Sequence, residues 1–226
     1  QDAVLNDGTI NIGDGTFSVT NSNEAPVENN GTISSTGSGT IDMDTAFKNN
    51  SGATLNIGSG TLNIAISISN SGTFTSTSGS AGGTVVFDGS GLTAITGTFS
   101  GSANSFANVT VKAGAIPNPD GTINVGSDGN FTVENLGQWG EDGEDSSLIY
   151  TGLDFSISGT FNAASLSIEA GTASSSTTPV KTTGEVFADV FISSKDTYAQ
   201  VSNDFIINGK LTVTSQTTLE VEEGSG

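Results

Sequence analysis

Residues Asp7–Val19 read DGTINIGDGTFSV, and residues Asp120–Val133 read DGTINVGSDGNFTV, which is the same phrase with Ser127 inserted. Apolar and polar residues alternate in both copies, as at Ile10 and Ile12. Alternation with a period of two predicts short β-strands that bury one face. The glycines between the strands permit the positive φ of a sharp corner, so each copy predicts two strands joined at a corner.

Glycines that open strands come in pairs about eight residues apart, and the Gly-Thr dipeptide occurs eleven times. Successive pairs begin at Gly8, Gly31 and Gly52, which are 23 and 21 residues apart. This interval suits one coil of a β-solenoid with two or three short strands per coil. With coils ~4.8 Å apart, roughly nine or ten of them predict a parallel β-helix about 45 Å long.

An antiparallel β-sandwich or jelly roll is the alternative fold. Its hairpins favour two-residue Asp-Gly or Asn-Gly turns between strands of matched length. Such turns occur at Asp7, Asn30 and Asn208, among other positions, so turn chemistry alone leaves this fold open. The recurrence of like motifs at coil-sized intervals favours the solenoid.

A longer unit recurs in the second half of the chain. Residues Thr84–Phe99 read TVVFDGSGLTAITGTF, and residues Ser147–Phe161 read SLIYTGLDFSISGTF, with one deletion between them. Repeats of this kind stack as neighbours in one array. We therefore expect one elongated solenoid over residues 1–226, with sub-regions 1–114 and 115–226.

The phrases GTVVFDGSGLTAITGTF, FANVTVKAG and DFIINGKLTV resemble the degenerate repeats of large secreted bacterial surface proteins. These are β-solenoid adhesins and adhesin-like proteins, especially of Bacteroidetes-type bacteria, loosely akin to autotransporter passengers and filamentous haemagglutinin. The resemblance covers most of residues 31–221. It implies a secreted or cell-surface β-solenoid that serves as a stalk, an adhesin or a filament subunit, and it brings no catalytic motif.

Two segments interrupt the repeats and are predicted to project from the rod as loops. Residues 134–147 read ENLGQWGEDGEDSS, and residues 172–184 read TASSSTTPVKTTG. A further interruption is predicted at Pro117 and Pro119, because proline cannot donate a hydrogen bond within a central strand.

Charge and composition exclude several functions. The chain has no cysteine and no histidine, five Lys+Arg against 24 Asp+Glu, and a net charge of −19. Nucleic acid and anionic membrane surfaces both require a basic patch, so neither is an expected partner. No apolar run approaches the ~18 residues of a membrane-spanning helix. Without histidine or cysteine, Ser-His and Cys-His nucleophiles are also excluded.

Paired carboxylates are the remaining route to catalysis, as in glycoside hydrolysis. Asp42 and Asp44 flank Met43 in the sequence IDMD and share one face of a predicted strand. We interpret that face as solvated rather than catalytic. The sequence therefore predicts a protein that is not an enzyme.

Calcium is the one cofactor that the sequence suggests. Glu141, Asp142, Glu144 and Asp145 offer hard oxygen ligands on a predicted loop. No EF-hand pattern accompanies them, so a solvated acidic loop is the alternative interpretation. No other cofactor is expected.

The surface suggests two alternative binding functions. A surface adhesin or carbohydrate-binding module would use Trp139 and Tyr150 to stack on sugar rings, while Trp139 as a residue that anchors its loop on the rod is the alternative. Ice binding would require flat ranks of threonine in every coil. The sequence TFTST at Thr73–Thr77 hints at such ranks, but other coils place Asn, Ser or Asp there.

We expect an extracellular structural protein. Few lysines, many Thr, Ser and Asn residues, no cysteine and a first residue Gln1 suggest a secreted chain whose signal peptide has been removed. No capping segment is evident at either terminus, and exposed strand edges invite pairing with another chain. Uncapped ends also suit a segment of a longer solenoid. The sequence predicts a filament or surface-fibre subunit that stacks head to tail as a homopolymer. Glycans or other cell-surface components are the alternative partners.

Overall fold

The computed structural model describes residues 4–20, 25–77, 82–101, 104–126, 129–142, 146–152, 154–169, 178–182, 184–193, 198–202, 206–213 and 218–222. Within these ranges the chain forms strands and turns, without a helix, and the paired strands run parallel. The chain is therefore a β-solenoid, as predicted, and not an antiparallel sandwich. The described residues contain no helix long and apolar enough to cross a bilayer.

The strands follow one another coil by coil. Coils 1 to 4 contain β1 (Val4–Asn6), β2 (Thr9–Asn11) and β3 (Thr16–Val19); β4 (Val27–Asn29), β5 (Thr32–Ser34) and β6 (Thr40–Met43); β7 (Ala46–Asn49), β8 (Thr54–Gly58) and β9 (Thr61–Ile64); β10 (Ser67–Asn70), β11 (Thr73–Ser76) and β12 (Thr84–Phe87). Coils 5 to 7 contain β13 (Gly91–Gly97) and β14 (Asn108–Val111); β15 (Ala115–Pro119), β16 (Thr122–Val125) and β17 (Asn130–Val133); β18 (Gln138–Trp139), β19 (Ser147–Tyr150) and β20 (Asp154–Ile157). Coils 8 to 10 contain β21 (Thr160–Glu169) and β22 (Thr178–Thr182); β23 (Glu185–Ser193) and β24 (Tyr198–Ser202); β25 (Ile206–Ile207), β26 (Leu211–Val213) and β27 (Thr218–Glu222).

The coils stack into three faces. Face 1 is the sheet β1-β4-β7-β10-β13-β15, followed by β18, the first residues of β21 and β23, and β25. Face 2 contains β2, β5, β8 and β11, followed by β16, β19, the later residues of β21 and β23, and β26. Face 3 is a ten-stranded sheet from β3 to β27, with one strand from each coil. The long strands β21 and β23 turn the corner between faces 1 and 2, where their register shifts between Asn162 and Ser165.

One continuous core fills the interior because alternate residues point inward in the strands whose burial is described. On face 3 the inward residues stack in the order Phe17, Ile41, Leu62, Val85, Val109, Phe131 and Phe155. All of them except Phe17 are buried. The period-two pattern of the sequence thus becomes a column of apolar side chains along the rod axis.

A buried asparagine ladder supports the corner between faces 1 and 2 in coils 1 to 4. The Nδ2 atoms of Asn6, Asn29 and Asn49 each donate to the Oδ1 atom of the next asparagine, at 2.7, 2.8 and 2.8 Å, and the ladder ends at Asn70. Each of the four side chains donates to a backbone carbonyl of the following coil, which is a second donated hydrogen bond for Asn6, Asn29 and Asn49. The ladder satisfies polar groups that would otherwise be buried without partners.

Sequence inspection missed this ladder, although a signal exists. The pattern Asn-x-Gly-Thr occurs at Asn6, Asn29 and Asn70, and Asn49 begins a variant that is two residues longer. These asparagines are 23, 20 and 21 residues apart, which is the coil interval. An asparagine at a fixed place in every coil is expected to face the same place in its neighbours.

Aromatic rings pack together in the core farther along the rod. Phe74, Phe99 and Phe106 pack together with centroid distances of 4.9 to 5.9 Å. Farther on, Phe131 stacks on Phe155 at 5.2 Å with an interplanar angle of 11°. These rings bury large apolar areas and add favourable edge-to-face and stacked geometries.

The predicted interruption at Pro117 and Pro119 is wrong, because both residues lie in β15, which pairs with β13. A residue in a parallel ladder directs its N–H and C=O groups towards the same neighbouring strand. The carbonyl of Pro117 accepts from the backbone N–H of Gly140 at 2.7 Å. The position where Pro117 lacks a backbone N–H therefore also faces coil 7. There β18 is only two residues long, and few hydrogen bonds are lost.

The two predicted loops are only partly loops. Gln138 and Trp139, within 134–147, form β18 and pair with Thr160 and Phe161 of β21. Residues 143–145 lie outside the described residues. In the second segment, Thr178–Thr182 forms β22 of face 3, while residues 172–177 and 183 lie outside the described residues.

Candidate functional site

The outer edge of coil 1, which we call the leading edge, consists of β1, β2 and β3. Each of these strands has a neighbour on one side only within the described residues. Ile10, Ile12, Phe17 and Val19 occupy core positions here but remain partly exposed. Val4, in register with the buried Val27, is 41% exposed. The leading edge thus combines unpaired backbone with apolar side chains that a further coil would cover.

The outer edge of coil 10, which we call the trailing edge, has the same character. Leu211 and Val213 are in register with Val190 and Ile192 of the preceding coil. The inner pair is fully buried, whereas Leu211 and Val213 are 41% and 38% exposed. Both ends of the described rod therefore expose residues that are buried in the coils between them.

Corner glycines show how closely successive coils approach. A Cβ atom on Gly31 would lie 2.0 Å from the carbonyl oxygen of Gly8, and one on Gly209 would lie 2.1 Å from that of Ala188. A Cβ atom on Gly8 would meet nothing within 4 Å. Gly8 holds the same corner position as Gly31, one coil earlier. The space beside it at the leading edge is therefore open to a further coil.

The Gly-Thr pairs place threonine in ranks along the outer surface. On face 2, Thr9, Thr32, Thr54 and Thr73 are in register. On face 3 the next outward rank after the threonines runs Ser18, Asp42, Asn63 and Val86. On face 3 the rank of threonines is therefore one residue wide, and the rank beside it holds different residue types. Ice binding would require a flat array of threonines.

On face 3, Asp42 takes part in a hydrogen-bonded rank of polar residues. Asp42 lies at the surface, where its carboxylate accepts from Ser18 Oγ at 3.1 Å and from Asn63 Nδ2 at 3.4 Å. Partial burial raises the pKa of Asp88, and the charges of Asp42 and Asp44 add to this rise. The position of Asp42 agrees with the predicted solvent-facing side of its strand.

Trp139 and Tyr150, the predicted sugar-stacking residues, are fully buried. Trp139 packs edge to face on Phe131 at 5.1 Å and stacks on Phe161 at 6.4 Å. The hydroxyl of Tyr150 donates to the carbonyl of Gly129 at 3.0 Å. Neither ring is presented to a glycan. Trp139 holds its segment on the rod, which was the alternative interpretation.

The acidic segment predicted to bind calcium is described only in part. Glu141 and Asp142 are exposed, and Glu141 Oε2 accepts from Asn118 Nδ2 at 3.3 Å. Glu144 and Asp145 lie outside the described residues. Among the residues that are described, no three acidic side chains gather as a set of metal ligands. The four-carboxylate site stays a prediction.

Comparison with protein-family models found no matching family. Searches of curated proteins and of solved structures also found no match. The class of protein that the fold defines is a three-faced parallel β-solenoid.

Proposed function

We propose that the chain is an extracellular structural protein whose copies stack head to tail, through the leading and trailing edges, into a filament or surface fibre. The observation that carries this proposal is the exposure of core residues beside unpaired strands at both edges. Covering such residues with another coil removes apolar surface from water and pairs the free backbone groups. A contact between two different edges is heterologous and propagates along one axis.

Surface charge supports growth along the axis over lateral association. The chain carries a net charge of −19, and its outer faces are mainly polar. Parallel rods of like charge repel one another at low ionic strength. The leading and trailing edges instead present Ile10, Phe17, Leu211 and Val213, whose association does not depend on charge. The fibre is therefore expected to consist of single rods.

Negative-stain electron microscopy of the purified chain tests the proposal. Ten coils ~4.8 Å apart make a rod about 45 Å long, so end-to-end assemblies have lengths well beyond this value. If all particles were monodisperse and about 45 Å long, the proposed filament would be wrong.

Gly8→Ala is the variant that isolates stacking from folding. Its added Cβ meets no described atom in the monomer, but would meet the carbonyl of an adjoining copy, as Gly31 would meet Gly8. Gly126→Ala is the matched control, because a Cβ there makes only ordinary contacts, the nearest at 3.4 Å. We expect short particles from Gly8→Ala and wild-type fibres from Gly126→Ala. Fibres of equal length from both variants would contradict stacking through the leading edge.

A further inference from the structure

A depression of about 440 Å³ opens where coils 5 to 7 turn from face 1 to face 2. Its lining includes Thr96 of β13, Asn118 and Pro119 of β15, Asp120 at the corner, and Ser146, which precedes β19. The polar side chains that line it carry oxygen atoms, and Asn118 contributes the single side-chain nitrogen. Since a water molecule occupies about 30 Å³, the depression has room for an ion and several waters.

Two side chains that line this depression each carry a buried oxygen without a hydrogen-bond partner. Ser146 is 2% exposed, and its Oγ atom neither donates nor accepts a hydrogen bond. Oδ1 of Asn118 is likewise buried and unpartnered. Buried polar atoms almost always have a partner, because leaving one unsatisfied is costly. Asn118 and Ser146, which carry these two atoms, both line the depression, so a ligand seated there lies beside both side chains.

The orientation of the Asn118 side chain follows from its neighbour. Nδ2 of Asn118 donates to the Glu141 carboxylate at 3.3 Å. A carboxylate only accepts hydrogen bonds, so the amide must turn its nitrogen towards Glu141. This leaves Oδ1, an acceptor, as the unpartnered atom of Asn118. The missing partner of Asn118 is therefore a hydrogen-bond donor or a cation.

Charge favours the cation. Asp120 places a carboxylate on the exposed rim of the depression, and Glu141 holds a second carboxylate beside Asn118. A neutral amide oxygen, a hydroxyl and carboxylates together make up the mixed hard-oxygen set that calcium accepts in irregular geometry. Magnesium demands near-octahedral geometry and keeps most of its waters. Soft metals prefer thiolate and imidazole, which this chain lacks.

We propose that this depression is a calcium site, in which Asn118 Oδ1, Ser146 Oγ and the Asp120 carboxylate bind the ion and Glu141 orients Asn118. The site shares only Glu141 with the acidic segment predicted from the sequence. Its ligands come from two successive coils. Bound calcium therefore links coil 6 to coil 7, where β15 has two prolines and β18 is short.

Calorimetric titration of the calcium-depleted chain with CaCl₂, alongside thermal melting, tests the site. We expect one ion per chain with a dissociation constant of about 10⁻⁴ to 10⁻³ M, typical of extracellular modules. We also expect calcium to raise the melting temperature and EDTA to reverse the rise. No response up to about 10 mM CaCl₂, or an equal response to MgCl₂, would overturn the proposal.

Two pairs of variants separate this site from its neighbours. Ser146→Ala and Asp120→Asn are expected to weaken calcium binding by about tenfold or more. Without calcium, Ser146→Ala is expected to melt no lower than wild type, because it removes an unpartnered hydroxyl. Ser147→Ala, whose hydroxyl bonds Ser165 on face 2, is expected to bind as wild type does. Asp142→Asn tests the acidic segment predicted from the sequence. Full binding by Ser146→Ala, an equal loss in Ser147→Ala, or a loss confined to Asp142→Asn would overturn the assignment.

Discussion

Replacing Asn49 by alanine tests the contribution of the buried asparagine ladder to stability. The Nδ2 atom of Asn49 donates to Asn70 Oδ1 at 2.8 Å and to the Thr73 carbonyl at 3.0 Å. Its Oδ1 atom accepts from Asn29 Nδ2 at 2.8 Å. Alanine removes all three hydrogen bonds at a buried position. It also strands an N–H of Asn29 and the Oδ1 atom of Asn70, neither of which water can reach.

The expected loss follows from these three bonds. A buried hydrogen bond contributes about 1 kcal/mol net, so three of them predict a decrease in the free energy of unfolding of about 3 kcal/mol. The next residue, Asn50, supplies the control, since its Nδ2 makes one exposed hydrogen bond, to Asn30 Oδ1 at 2.7 Å. Asn50→Ala is expected to cost less than about 0.5 kcal/mol.

Equilibrium urea unfolding of both variants gives the free energies, and native-state hydrogen exchange places the loss along the rod. Exchange is needed because long repeat arrays can unfold in parts. Backbone amides in coils 2 to 4 of Asn49→Ala are expected to exchange faster than in wild type, with little change in the coils beyond β17. Equal losses for Asn49→Ala and Asn50→Ala would refute the view that the ladder, rather than asparagine content, stabilises this corner.

Three further predictions concern packing and charge. Gly31→Ala is expected to lower the free energy of unfolding by about 2 kcal/mol or more, because its Cβ would lie 2.0 Å from the Gly8 carbonyl oxygen. Gly8→Ala, whose Cβ meets nothing within 4 Å, is expected to unfold as wild type does. Equal urea midpoints for the two variants would contradict this. Because the folded-state pKa of Asp88 is raised, its ionisation costs stability as pH rises through that pKa. Asp88→Asn is therefore expected to be more stable than wild type at pH 7, by less than about 1 kcal/mol at this largely exposed site. The gain is expected to vanish below pH 3.8. Urea unfolding of both proteins at the two pH values measures this difference. Finally, raising ionic strength from about 0.01 to 0.15 M shortens the Debye length from about 30 to 8 Å. Because this screens the repulsion within a chain of charge −19, the melting temperature is expected to rise with salt. An unchanged or lower melting temperature would contradict destabilisation by self-repulsion.

The coil was predictable because its signals are local. Alternation at Ile10 and Ile12 specifies which face of a strand is buried, and a glycine before a threonine specifies where the next strand begins. Repetition at 21 to 23 residues then brings like residues into register, as Thr9 with Thr32. None of these steps requires knowledge of a distant contact.

Trp139 and the calcium depression were not predictable for the opposite reason. Gly137, Gly140 and Glu141 surround Trp139 with turn-forming or charged residues, so the local pattern indicated a loop. Only the rings of adjacent coils, such as Phe161, create the pocket that buries it. Asn118 and Ser146 likewise lie 28 residues apart, and stacking alone brings them to one depression.

The change of interior at Gly97 shows what the fold requires from coil to coil. Gly97 follows Asn70 in register and replaces the ladder asparagine with a residue at φ +93°, whose Cβ would lie 2.2 Å from the Asn70 carbonyl. Beyond this point Phe99 and Phe106 fill the core instead. Face 3 nevertheless continues as one sheet through both regions. The outer ladders and corner glycines therefore set the backbone path, while the interior changes from a buried amide ladder to packed aromatic rings without interrupting that sheet.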